Sequence, residues 1–239
     1  MFLLMALKYR KVLLVAFALC TAMPSFSAES ARAVTPASFS DALPAFIEKL
    51  RFPDHRDAGA ILIKCEGMVH LSGDIQGAIC FSNNDVGIEQ RMRNVIVRAT
   101  RTTRITPAIV DGKRTNIRFN FSVIYEQKGD EKNIEILENH LYDIERLGPH
   151  YSAAQRVILQ YRLFCFDVRE LPISAMVSVS ASGQVVDVRL SKLADDSQCA
   201  GEVDKRIRNA VYIPAIANGV PVASTFSEVF HHYFWDPFR

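Results

Sequence analysis

The residues of this 239-residue chain best suited to chemistry are five cysteines, six histidines and a block of arginines. His55, His70, His140, His150, His231 and His232 show no metal-ligand spacing. His231 and His232 are adjacent on a segment that reads as a strand, so they must point to opposite faces and cannot readily chelate together. Gly-x-Ser-x-Gly, a Gly-rich phosphate loop and His-Glu-x-x-His would supply a nucleophile, a phosphate cradle or a zinc site with its base, and none occurs. The expectation is therefore a protein that binds without catalysis, with no catalytic residue, metal or cofactor assigned.

The arginines are the sharper candidate. Arg91, Arg93, Arg98, Arg101, Arg104, Lys113, Arg114 and Arg118 stand against a single acid, Asp111. Immediately after them Glu126, Asp130, Glu131, Glu135, Glu138, Asp143 and Glu145 face only Lys128 and Lys132. A basic block can bind anions, such as lipopolysaccharide phosphates or an acidic partner segment. It can equally be a solvated helix and loop on which the acidic stretch docks. Arg91, Arg98, Arg101, Arg104, Lys113 and Arg114 are the candidate anion-binding residues; Arg91 and Arg98 share a helical face, and Arg93 does not.

The N-terminus is an address. Lys8, Arg10 and Lys11 precede an apolar run from Val12 to Met23, which Pro24 and small residues end. About twelve apolar residues suit a secretory leader and fall short of the ~20 that span a membrane. An uncleaved anchor is the other reading. Removing residues 1–28 takes three of the 28 basic residues and none of the 26 acidic ones, so the formal charge of +2 becomes slightly negative. That near-neutral balance does not point to nucleic acid, and no later stretch is long and apolar enough to span a membrane. With 49% apolar, 10% aromatic and 23% charged residues, the composition excludes collagen-like and disordered classes. The expected location is the periplasm, an oxidising compartment in which Cys65, Cys80, Cys165 and Cys199 should pair. Cys65–Cys80 and Cys165–Cys199 is the favoured connectivity, each closure contributing roughly 3–4 kcal/mol. Zinc is the alternative, without any Cys-x-x-Cys to support it.

The mature chain repeats its own signals. Arg91-Met92-Arg93-Asn94-Val95 resembles Arg206-Ile207-Arg208-Asn209-Ala210, and Pro107-Ala108-Ile109-Val110-Asp111-Gly112 resembles Pro214-Ala215-Ile216-Ala217-Asn218-Gly219. A Ser-Gly turn precedes each pair, at Ser72-Gly73 and Ser182-Gly183, and a β-rich stretch follows, Thr115 to Tyr125 and Val222 to Phe234. Alternation over 176–180 and 186–190 predicts a hairpin, and Val203, Ile207 and Ala210/Val211 predict an amphipathic helix. Each half reads β-β-α-β, an α+β class with a small antiparallel sheet and one helix on its face. Residues 29–127 form the expected first unit with an N-terminal helix over Ser38 to Leu50, and 161–239 the second. Between them, 128–160 is expected as a helical linker, striped by Ile134, Leu137, Leu141 and Ile144. The aromatic tail Phe234-Trp235-Asp236-Pro237-Phe238 is expected to clasp the core.

The second half resembles the carboxy-terminal domain of TonB-type energy transducers. The order Val177-Ser178-Val179, Gly183, Val185-Val186-Asp187-Val188, Val203 to Val211, Tyr212-Ile213-Pro214-Ala215 and Asn218-Gly219-Val220-Pro221-Val222 carries the resemblance over about residues 170–235. The first half is similar more loosely, with Lys113 and Arg114 where Val-Pro would stand. The resemblance implies a non-enzymatic periplasmic module that contacts an envelope protein, such as an outer-membrane receptor or transport component, through a strand at a sheet edge. On that analogy the last strand, with Val222, Ser224, Phe226, Glu228 and Phe230 on one face, or its counterpart Thr115 to Tyr125, would meet the partner. The chain departs from the transducers in its expected cleaved leader, its lack of a Pro-rich spacer and its two expected copies, so a TonB-like fold is expected and an energy transducer is not. An envelope enzyme or enzyme inhibitor with a pocket between the two units is the alternative.

Overall fold

Residues 33–52, 59–82, 88–158, 172–191 and 199–230 are described by a computed structural model. The expected leader, His55, Cys165, His231, His232 and the aromatic tail lie outside them. The elements in chain order are β1 (Val34–Thr35), a 3-10 turn (Ser40–Ala42), α1 (Leu43–Ile47), β2 (Gly59–Val69), β3 (Ile75–Phe81), α2 (Ile88–Thr100), β4 (Ala108–Val110) and β5 (Lys113–Thr115). They continue with β6 (Ile117–Lys128), β7 (Glu131–Leu137), α3 (Ile144–Leu147), β8 (Gln155–Val157), β9 (Ile173–Val179) and β10 (Val185–Leu190). The last are α4 (Ala200–Arg208), β11 (Tyr212–Ile213), β12 (Ala215–Ala217), β13 (Val220–Val222) and β14 (Ser224–Phe230). The class is α+β, with antiparallel sheets and few helices.

The expected three-stranded sheet is found over residues 173–230, in the order β10-β9-β14. Over the first half the order β3-β2-β6 continues into a six-stranded sheet, because β8 and β11 extend it past β6 and β7 pairs with the other end of β6. The helical linker is corrected here. Residues 131–137 form a strand, 144–147 a single helical turn and 155–157 another strand. The reason is a competing period: Ile134 and Ile136 alternate as well as Ile134 and Leu137 stripe, and the long edge of β6 rewards the strand with a ladder from Ser122↔Leu137 to Lys128↔Glu131. The N-terminal helix is also shorter than expected, a 3-10 turn followed by five residues starting at Leu43.

β6 organises the larger sheet. Its residues 117, 119, 121, 123 and 125 pack with Ile63, Cys65 and the α2 residues Met92 and Ile96 in one core. Phe39 and Phe46 stack at 4.7 Å there, and Phe39 meets Phe121 edge-on at 5.3 Å. On the opposite face Arg118, Asn120 and Ser122 are buried as well. The smaller sheet packs its own alternating residues, Ile173, Ala175, Val177 and Val179 with Phe226 and Phe230, against Val203 and Ile207 of α4.

Equivalent turns recur in the two halves. Gly73 N–H donates to His70 C=O at 2.8 Å, and Gly183 N–H to Ser180 C=O at 3.0 Å. Both glycines sit at positive φ, +86° and +80°, and a Cβ on either would lie 2.1 Å from Ile105 O or 2.3 Å from Tyr212 O. Ile105 and Tyr212 each stand two residues before a proline, Pro107 or Pro214. The Asp111-Gly112 and Asn218-Gly219 turns have φ values of 50° and 75°, and 52° and 75°. Two more pairs of segments align alike: Thr35↔Ile109 and Ser38↔Thr106 match Ser152↔Ile216 and Gln155↔Ile213.

Backbone contact makes these glycines unequal to others at positive φ. Gly73→Ala and Gly183→Ala should each lower unfolding free energy by roughly 3 kcal/mol or more, because left-handed strain and a clash with an immobile carbonyl add. Gly112→Ala, whose Cβ meets nothing within 4 Å, should cost only about 1–2 kcal/mol. Urea titrations of the three variants check the ranking.

Candidate partner interface

The expected recognition residues point inward. Ser224, Phe226, Glu228 and Phe230 alternate as the buried face of β14, while Val222 belongs to β13 and is half-buried. Phe226 meets Tyr212 edge-on at 5.7 Å. These side chains build the interior and do not offer a recognition face, which corrects the expectation for this strand.

Its main-chain edge is occupied too. β9 takes one edge of β14, and side chains from earlier in the chain take the other. Arg146 Nη2 donates to Ala223 C=O at 2.7 Å. Thr225 N–H donates to Asp143 Oδ2 at 2.6 Å. Asn120 Nδ2 donates to Ser227 C=O at 2.7 Å. Val229 N–H donates to the Glu66 carboxyl at 3.2 Å. Carbonyl, amide, carbonyl and amide on alternate residues are the groups that a pairing strand would engage. The counterpart edge in the first half is likewise filled, since β6 has β2 on one side and β7 with β8 on the other.

Beneath this edge lies a buried charge cluster. Glu228 accepts Arg156 Nε–H at 2.7 Å and a second bond from Arg156 Nη2, and pairs with Arg118 Nε at 3.0 Å. Burial alone would raise the Glu228 pKa, but Arg156 and then Arg118 hold it below the usual carboxylate value. Glu66 has no such fork. Burial pushes its pKa up to about 8, against the opposing pull of Arg118 and with a push from Glu228. His140 has its pKa lowered to about 4, chiefly by burial. A carbonyl can only accept, so His140 Nε2–H donates to Cys65 O at 2.8 Å and Nδ1 accepts the Ser227 hydroxyl at 2.9 Å. Glu66, Arg118, Asn120, His140, Arg156 and Glu228 in this junction each have under a tenth of their surface exposed.

Cys65 and Cys80 form a disulfide across the β2–β3 pair, where they stand directly opposite. Cys65 thus lies on the first strand of this hairpin and Cys80 on the second. Cys199, at the start of α4, is disulfide-bonded; Cys165 lies outside the described residues. The basic residues scatter. Arg91, Arg98 and Arg101 are exposed on or just after α2, and Lys113 and Arg114 on β5. Arg104 pairs with Asp74 at 2.8 Å, and Arg118 turns inward to Glu228. Arg98 meets Lys49 and Arg51 around a cleft. The acidic residues engage other groups: Glu138 accepts Phe39 N–H at 2.6 Å, and Glu126 pairs with Lys128 at 2.9 Å.

Sequence reasoning missed Glu66, Asn120, His140, Asp143, Arg146 and Arg156. A carboxylate inside the apolar run Ile61-Leu62-Ile63-Lys64-Cys65-Glu66-Gly67-Met68-Val69 was the available signal for Glu66. Among the described residues no group of three metal-capable side chains occurs, and no helix is long and apolar enough to cross a membrane. Comparison with protein-family models, with curated proteins and with solved structures returns no match. Among the described residues β10 pairs with β9 on one side and with no strand on the other. Ser191 N–H bonds Ser174 C=O, so by alternation residues 187 and 189 face β9 and the main-chain groups of Val188 and Leu190 point away. Val186 beside them is 68% exposed.

Two measurements probe the cluster. A folded pKa above the unfolded one means the native state holds the extra proton, so stability associated with Glu66 is full below about pH 4.5 and falls as pH rises toward 8. Glu66→Gln should remove that decline, stabilising the protein at pH 8.5 by up to about 4 kcal/mol relative to pH 4.5. Chemical denaturation of both proteins across that range checks it. Glu228→Gln should instead destabilise by about 3–5 kcal/mol at neutral pH, since it leaves Arg118 and Arg156 buried beside a neutral group; thermal unfolding would reveal it.

Proposed function

We propose that the chain is an exported, non-catalytic binding or assembly module of the cell envelope, built from two tandem TonB-C-like β-β-α-β units and working in the periplasm. The tandem reading is supported by the shared strand orders β3-β2-β6 and β10-β9-β14, with a helix following each hairpin. The matching contacts of Gly73 and Gly183 support it further. A leader-like N-terminus and a disulfide between Cys65 and Cys80 accord with export.

One observation directs the contact. In both halves the edge that transducer-like domains would offer is taken inside the chain: β6 by β7 and β8, and β14 by Glu66, Asn120, Asp143 and Arg146. The partner strand is therefore placed by this reading at β10, next to Val188 and Leu190. An energy-transducing role does not follow, and the partner is an envelope protein with an extended segment to contribute.

Photo-cross-linking in cells tests this. A photoreactive residue at Val186 should capture an envelope protein, whereas one at Ser227 should not. Val188→Pro removes an outward N–H without touching the ladder to β9, and should abolish the Val186 adduct while leaving the melting temperature within a few degrees. An adduct formed from Ser227 alone, or a Val186 adduct indifferent to Val188→Pro, would contradict edge pairing at β10.

A further inference from the structure

The cleft between the segment after α1 and the last turns of α2 has a volume of about 410 Å³ and is lined by Lys49, Arg51, Val95, Arg98, Ala99 and Thr102. That volume falls within the ~300–1,000 Å³ of small-ligand sites. Three of the six lining side chains are cationic, none is acidic, and Val95 with Ala99 supplies a small apolar wall. Arg51 and Arg98 are exposed at its mouth.

A helix C-terminus ordinarily repels anions, because its last carbonyls carry partial negative charge. Here that end is covered. The hydroxyls of Thr100, Thr102 and Thr103 donate back to Val97, Ala99 and Ala99 carbonyls. Lys49 Nζ donates to Thr102 C=O at 2.7 Å and Thr103 Oγ1 at 2.9 Å. An ammonium has three donors. Lys49 is thus fixed over the helix end by two bonds, with a third N–H for a ligand. Arg51 and Arg98 add guanidinium forks, whose planar donors match phosphate oxygens in pairs. The exposed Arg91 and Arg101 raise the positive potential around α2 without lining the cleft.

We propose that this cleft binds a phosphate group carried on a short apolar stem, held by Lys49, Arg51 and Arg98 with the stem against Val95 and Ala99. The same chemistry is offered by a soluble phosphate monoester and by a phospholipid headgroup. The site is independent of the β10 edge and would stand if that edge had no partner.

The test uses the full mature chain with two probes: butyl phosphate followed by calorimetry, and phosphatidylglycerol vesicles followed by sedimentation against phosphatidylcholine vesicles. The double substitution Arg51→Gln/Arg98→Gln should weaken whichever probe binds by tenfold or more. Lys113→Gln/Arg114→Gln makes the same charge change on β5 and should weaken it less than twofold. Binding of butyl phosphate alone assigns a soluble ester, and binding of anionic vesicles assigns a headgroup. Equal losses in the two charge-matched variants would reduce the effect to net charge and overturn the site. So would binding of neither probe to the parent protein at millimolar phosphate, with circular dichroism showing that all proteins are folded.

Discussion

Arg156 of β8 and Arg118 of β6 close on the Glu228 carboxylate of β14, and water reaches none of the three to any extent. Transferring such charges from water is expensive, and their mutual attraction returns that cost only when geometry and hydrogen bonding are both good. The cluster is therefore weak as a source of net stability and strong as a constraint. Slipping β14 by one residue along β9 would carry Glu228 to the other face, leaving two guanidiniums buried without it. Register in the smaller sheet and docking of that sheet on the larger one are in this way fixed by the same three residues.

A second consequence concerns strand edges. An unpaired edge invites association with other chains, and proteins commonly blunt it with charges or cover it. This chain covers edges with side chains that imitate a strand. Glu66, Asn120, Asp143 and Arg146 do so along β14. Gln155 does the same for the N-terminal arm, its amide donating to Ala37 C=O and accepting Ala37 N–H, both at 2.8 Å. Glu66 needs its raised pKa to be compatible with this role: protonated, it accepts the Val229 N–H without adding a second negative charge beside Glu228. His140, held neutral, links Cys65 to Ser227 across the same junction.

Much of the local architecture was legible in the residues. The hairpin at Ser182-Gly183, α4 from Val203 and Ile207, and the Asn218-Gly219 turn all rest on local periodicity or on a backbone conformation that few residues adopt. The larger sheet was not legible, because its extra strands depend on distant partners. The run Ile117-Arg118-Phe119-Asn120-Phe121-Ser122 alternates as a strand with one wet face would, yet both faces are buried. Alternation separates apolar from polar faces; it does not say whether the polar face meets water or another polar face. Hence Glu228 read as part of a contact surface, when its opposite charges came from Arg118 and Arg156, far away in sequence. The residue pattern of β14 likewise could not reveal that Asp143 and Glu66 would reach its amides.

Side chains seal β14 along the edge facing away from β9. Residue-resolved hydrogen exchange of the native protein reads it directly. Phe226 and Glu228 have amides directed into the β9 ladder, and Thr225 and Val229 have theirs directed outward to Asp143 and Glu66. A sealed edge requires Thr225 and Val229 to be protected to a degree similar to Phe226 and Glu228, and Asp143→Ala to release Thr225 selectively. Exchange of Thr225 and Val229 at the rate of unstructured peptide in the parent protein would contradict it, and would return β14 to the position of an open edge.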